Sequence, residues 1–189
     1  MKVSRLLAAT VVGSGVLTVG SAVSAVAAPG GNGNGQGSAK AVSGTYSGTS
    51  TAEGPNSGPL LYNFALDGTY SAGYLGGSGT YSGHILLDYS TYTSTNRCAS
   101  VSGTVTYVAS GKSGSMTTSV DPSQSTVCED WTSGTFNPNV HFTHLVETFT
   151  SGTGRMATAT ASSITSDGQS VGTTSPYADS GSLSGSVGS

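Results

Sequence analysis

The chain has 189 residues, only 8% of them charged, with six basic side chains against nine acidic ones and a formal net charge of −3. So few cations, scattered rather than clustered, cannot release counterions from a phosphate backbone, which excludes nucleic acid and anionic membrane surfaces as partners. Roughly a third of the residues are Ser or Thr, so hydroxyls and backbone, rather than ions, must solvate the surface.

The first segment, residues 1–27, has the form of an export signal. Lys2 and Arg5 make a short cationic head, an uncharged run follows from Leu6 to Val26, and Ala25-Val26-Ala27 supplies the small residues at the cleavage site. Cleavage after Ala27 or Ala28 is expected. A membrane anchor is the rival reading, but Gly13, Gly15 and Gly20 dilute the apolar run, and no second hydrophobic run occurs later. The mature chain keeps four basic residues against nine acidic, a net charge of −5, and is expected to be secreted and free of membrane.

Residues 28–40, including PGGNGNGQGSAK, contain nothing that can be usefully buried and cannot offset the entropy of being ordered. They read as a flexible tether. Residues 41–189 are one domain's worth of chain. No window in this span carries helical periodicity over three turns, and Gly recurs too often for a long helix.

Two-residue alternation takes its place. In Leu60 to Asp67 one face carries Leu60, Tyr62, Phe64 and Leu66. In His84 to Tyr89 the set is Ile85, Leu87 and Tyr89, and Val101, Gly103, Val105 and Tyr107 line a third segment. Val140, Phe142, His144 and Val146 alternate with His141, Thr143, Leu145 and Glu147. Each predicts a half-buried strand. Weaker strands are expected at 43–51, 69–75, 114–120, 155–164 and 180–187. The phrase Ser-Gly-Thr-Tyr recurs at Ser43–Tyr46 and Ser78–Tyr81, with looser copies at Ser102, Ser133 and Ser180. Its Gly reads as a bend or bulge where the sheet curls. About eight or nine short strands predict an all-β fold: a single small antiparallel β-barrel, with a β-sandwich as the alternative.

Cys98 and Cys128 are the whole thiol inventory, and in an exported chain an even pair reads as a disulfide. Cys128-Glu129-Asp130-Trp131 reads as a solvated loop anchored by Trp131 packing on that disulfide. His141 and His144 would share a face on a helix, but on a strand they point to opposite sides, which argues against a metal site. His144, beside Phe142, is the candidate for a cavity-lining acid or base, and Tyr62, Phe64, Tyr89, Tyr107, Phe142 and His144 are the candidate ligand-binding set.

Gly152-Thr153-Gly154-Arg155-Met156-Ala157-Thr158-Ala159-Thr160-Ala161-Ser162 resembles a hairpin of the allene oxide cyclase and dirigent-like superfamily of small secreted barrels, and Gly181 to Val187 is similar to their closing strand. Met156 stands where that pattern has Phe, and Thr158 and Ala161 where it has Gly. The resemblance implies a barrel, with Gly152 and Gly154 in a hairpin turn and Arg155 starting the returning strand. It carries over no catalytic residue and no cofactor.

No phosphate loop, nucleophile elbow, zinc-protease helix or calcium loop is present. The sequence therefore favours a secreted, non-catalytic barrel that binds a small apolar or aromatic ligand, or an extracellular partner. A cofactor-free isomerase or cyclase using His144 and a carboxylate is the second reading. A secreted inhibitor or toxin-like factor acting through a loop such as Pro122 to Asp130 is the third.

Overall fold

The structure, a computed structural model, describes residues 39–55, 60–111, 114–131, 133–157 and 163–188. The signal-peptide reading, and the tether up to residue 38, fall outside these residues. Lys40, placed in the tether by composition, already belongs to the first strand.

Nine strands lie among the described residues: β1 (Lys40–Pro55), β2 (Leu61–Ala72), β3 (Gly77–Asp88), β4 (Cys98–Ala109), β5 (Ser115–Val120), β6 (Thr126–Asp130), β7 (Asn137–Gly152), β8 (Ser163–Val171) and β9 (Tyr177–Val187). All pairings are antiparallel. The order β1-β2-β3-β4-β5-β7-β8-β9 returns to β1, so the sheet closes on itself, which removes every free edge and excludes the sandwich.

The extra strand, β6, continues the line of β5. Val120 stands opposite Gly103 and Glu147, while Thr126 stands opposite Ser100 and His144, so β5 and β6 fill one position between β4 and β7. Residues 121–125 interrupt that position and are stitched to both neighbours. The Val101 N–H donates to the Ser125 carbonyl at 3.1 Å, and the Val146 N–H donates to the Ser125 hydroxyl at 2.8 Å. The stretch from Pro122 to Asp130 is thus not one exposed loop: Ser125 is buried and Thr126–Asp130 is barrel wall.

Several expectations on strand limits need correcting. Leu60 to Asp67 and 69–75 are not two strands but the single β2, because Gly68 continues the ladder. The strand expected over 155–164 does not start at Arg155: Gly154–Met156 is a 3-10 turn with Arg155 exposed within it, while Ser163 and Ile164 belong to β8. Gly154 does take a positive φ of 60°, whereas Gly152 closes β7 without one. Residues 158–162 of the resemblance motif fall outside the described residues.

The two ends of the barrel differ. At one end, where β1 begins and β9 stops, the turn after β2 and the 3-10 turn direct Leu75 and Met156 inward onto Met116 and Ile164, and all of these side chains are buried. The Tyr70 hydroxyl donates to the Leu75 carbonyl at 2.6 Å and holds that turn. At the opposite end, Cys98 and Cys128 face each other across β4 and β6 with Cα atoms 4.0 Å apart, joined by the disulfide. Among the described residues no helix is long and apolar enough to cross a membrane.

Candidate functional site

The interior of the barrel is organised by tyrosine and glycine, and the register shows why. Tyr46 on β1 stands opposite Gly181, Gly181 opposite Gly168, and Gly168 opposite Thr143. With no side chain at either glycine, the Tyr46 ring lies across two strands, and its hydroxyl ends 3.4 Å from Thr143 Oγ1. A Cβ at Gly181 would come within 2.7 Å of the ring. Tyr81 on β3 repeats the arrangement: Gly68, Gly48 and then Asp179 follow it around the wall. A Cβ at Gly68 would meet the Tyr81 ring at 2.6 Å, and one at Gly48 would meet its hydroxyl at 2.5 Å. Of the glycines in the recurring phrase, Gly79 and Gly181 are vacancies of this kind, a Cβ at Gly79 meeting the Tyr70 ring at 2.8 Å, whereas Gly44 lies against Ala72 and Gly103 and Gly134 take positive φ. Edge-to-face contacts join Tyr46 to Tyr81 (5.8 Å) and Tyr70 to Tyr107 (5.5 Å).

Laid flat, these rings leave an interior cavity of about 140 Å³. Its walls are mostly apolar, from Phe64, Leu66, Ile85, Leu87, Val105 and Leu145. It opens toward the disulfide end through a rim of Leu60, Tyr62, Tyr89, Tyr92 and Tyr177. Tyr62 meets Tyr89 edge-on at 5.8 Å, and Tyr177 packs on Phe64 and on His141. Burial, with Glu129 nearby, pushes the Tyr89 hydroxyl up to about 12.

Two acids face this interior. Glu147 is the lining residue of β7 farthest from the rim and is fully enclosed. Its Oε1 accepts from Ser166 Oγ at 2.8 Å and from the Tyr107 hydroxyl at 2.9 Å, and its Oε2 lies 2.6 Å from Thr118 Oγ1. Thr118 also lies 3.1 Å from the Val105 carbonyl, which can only accept. A threonine hydroxyl has one hydrogen. The shorter contact is the one to Glu147, so three hydroxyls, those of Thr118, Ser166 and Tyr107, donate to this carboxyl group. Burial raises its pKa against those hydrogen bonds. Its hydrogen-bonding capacity is spent on the barrel wall.

Asp179 is different. It sits two residues into β9, near the rim, buried to 9% exposure, and accepts from Ser50 Oγ at 3.1 Å. Burial raises its pKa, opposed by hydrogen bonds from Ser170 and Ser50. Beside it on the same row, the Tyr81 hydroxyl is buried without a hydrogen-bond partner.

The predicted site residues divide. Phe64, Tyr89 and Tyr107 line the cavity, and Tyr62 stands on its rim. Phe142 and His144 do not. β7 turns His141, Thr143, Leu145 and Glu147 inward, and His144 lies on the outer wall with Nδ1 2.5 Å from Asp167 Oδ1. Phe142 is 40% exposed and is the register neighbour of Cys128. Both faces of β7 carry apolar side chains, so alternation alone could not select the inner one. Hydrogen bonding selects it here, because Glu147 finds three hydroxyls inside. His141 does face inward, and burial lowers its pKa.

The acidic stretch after Cys128 also reads differently. Trp131 stacks on Phe136 at 5.6 Å and carries the Arg97 guanidinium on its ring at 3.3 Å. Glu129 accepts from the Tyr92 hydroxyl at 2.5 Å and from Trp131 Nε1 at 3.0 Å. These groups brace the rim, and Glu129 and Asp130 belong to β6 rather than to a solvated loop. Asp179 is not singled out by the sequence, and Tyr46 and Tyr81 enter it through the recurring Ser-Gly-Thr-Tyr phrase. Their signal is Gly and Tyr two residues apart, which places a vacancy and a ring on one face.

No protein-family model, curated protein or solved structure matches the chain, so the site is interpreted from its own geometry.

Proposed function

We propose that this protein is an exported, non-catalytic barrel that binds a small apolar or aromatic molecule through its tyrosine rim. The observation that carries the reading is the cavity itself: mostly apolar walls, one open end, and a set of hydroxyls, an imidazole and two acids facing into it. Its size is that of a single ring, since a dry apolar cavity of about 150 Å³ accepts benzene. Export is supported by the leader-like first 27 residues and is compatible with the Cys98–Cys128 disulfide.

The isomerase reading cannot use His144, which lies on the outer wall beside Asp167. The interior imidazole is His141; Glu147 lies six residues along β7 and therefore about 20 Å away, too far for both to act on one reacting centre. The carboxyl group nearer to His141 is that of Asp179, two strands across through Ser170.

The test is a melting-temperature series on the mature chain with toluene or indole. Ligands that bind only the folded state raise the melting temperature. We expect a rise for wild type and none for Leu145→Trp, which fills the cavity. No rise in wild type with any single-ring probe would overturn the reading. Export is checked by sequencing the N-terminus of protein recovered from the medium, expected at Ala28 or Pro29.

A further inference from the structure

We propose that the ligand is a small organic cation, a protonated amine carried on a group about one ring in size, paired with the Asp179 carboxylate beside the Tyr81 hydroxyl. This rests on the binding function proposed above and names the chemistry of its ligand.

Glu147 and Asp179 are the two carboxyl groups lining the cavity, and only Asp179 remains open to a ligand. Glu147 is enclosed by Tyr107, Thr118 and Ser166. Asp179 receives hydroxyls but no cation: among the described residues no Lys or Arg lines the cavity, and His141 is held toward its neutral form by burial. A buried carboxylate is costly unless a positive charge reaches it. An entering ammonium group supplies that charge, and a neutral or anionic ligand does not.

The Tyr81 hydroxyl is the second, independent observation. It is enclosed, with the residue only 6% exposed, and unpartnered, and it lies on the register row that ends at Asp179. Buried polar atoms are almost always bonded, so this one marks a position where a ligand N–H can donate to the phenol oxygen. Aromatic rings surround the position: Tyr46 meets Tyr81 edge-on, and Tyr177 lies two residues before Asp179 on the same side of β9. Ring faces attract cations, more strongly where water is excluded.

The long-range field agrees. All nine acids lie within the described residues. Of the described cations, Lys40 and Arg155 sit at the closed end, and Arg97, near the rim, is committed to Trp131. The open half is left acidic, which draws cations toward the rim and repels anions.

Three isosteric probes separate the possibilities: benzylamine, benzyl alcohol and benzoate, titrated calorimetrically at neutral pH, with toluene as the apolar reference. For wild type, benzylamine should bind at least tenfold more tightly than benzyl alcohol, and benzoate should not bind. Asp179→Asn should abolish the preference while keeping affinity for benzyl alcohol. Tyr81→Phe, which removes only an unpartnered hydroxyl, provides a second variant should Asp179→Asn fail to fold; it should weaken benzylamine severalfold and leave toluene unchanged. Equal or tighter binding of benzyl alcohol or benzoate in wild type overturns the cation proposal and leaves the binding function standing. An amine preference that survives Asp179→Asn also overturns it, as does unchanged benzylamine affinity in Tyr81→Phe. Failure of all four probes to bind wild type removes the binding function itself.

Discussion

At the closed end of the barrel, Leu75, Met116 and Ile164 have no exposed surface, whereas at the open end Leu60 and Tyr62 keep 49% and 39% of theirs. Both ends are built from strand termini and short turns, so the difference lies in what the turns carry. One set returns apolar side chains to the core, and the other holds its aromatics around a gap. The closed end supplies stability, and the open end gives up burial to keep an entrance. A rim bonded through Glu129 and the Arg97–Trp131–Phe136 stack keeps its shape without filling the space it surrounds.

Truncation should separate the ends most clearly. Met116→Ala leaves a cavity in enclosed packing and should cost about 2–5 kcal/mol in denaturant unfolding. Leu60→Ala, at an exposed rim position, should stay within about 0.5 kcal/mol. Equal losses would mean that the rim carries core packing too.

The disulfide is the exception that braces the open end. Replacing Cys98 and Cys128 together by Ser opens a loop with sequence separation 30. This should cost about 3.5 kcal/mol in the chain-entropy account. Hydrogen exchange should then rise first in β6 and the start of β4, with Met116 and its neighbours unaffected. Uniform loss of protection would contradict a division between the ends.

How much of this was legible in the sequence depends on what each residue's period reveals. Alternation at Ile85-Leu87-Tyr89 and Val101-Val105-Tyr107 fixes both strand and inner face, because the opposite faces there are largely polar. At 140–147 both faces are apolar, and the inner one is set by hydrogen bonds between Glu147 and residues on β4, β5 and β8, which no local pattern encodes. Likewise, Gly48, Gly68, Gly168 and Gly181 look like strand interruptions until the register lines them up beneath Tyr81 and Tyr46. The disulfide partners needed only arithmetic. The cavity acids needed three dimensions.

The tyrosine rows between the two ends give a smaller test. In an ordinary strand interior, Gly→Ala is stabilising by roughly 0.5–1 kcal/mol. Gly68→Ala should instead destabilise by about 1–3 kcal/mol, since the new methyl meets the Tyr81 ring and the Ser47 carbonyl across the pair. Combining it with Tyr81→Leu should recover part of the loss, a coupling measurable by a double-mutant cycle. Strict additivity would show that the ring does not lie over Gly68.

The subtlest effect is a slope with pH, and Glu147 should set its sign. Burial raises the carboxyl pKa in the folded state, so between the ordinary carboxylate range and that raised value the unfolded chain has released a proton that the folded one retains. Stability contributed by this group is complete below the unfolded value and is lost as pH rises through the folded one. Asp179, also raised, acts in the same direction, while His141, lowered by burial, acts oppositely, losing stability as pH falls. The informative quantity is therefore the difference between wild type and Glu147→Gln. The carboxamide keeps the shape of the neutral acid and can donate to Thr118, so the variant should match wild type in acid and gain on it steadily as pH rises to neutral. A wild-type advantage that grows with pH would mean that Glu147 is ionised inside the barrel.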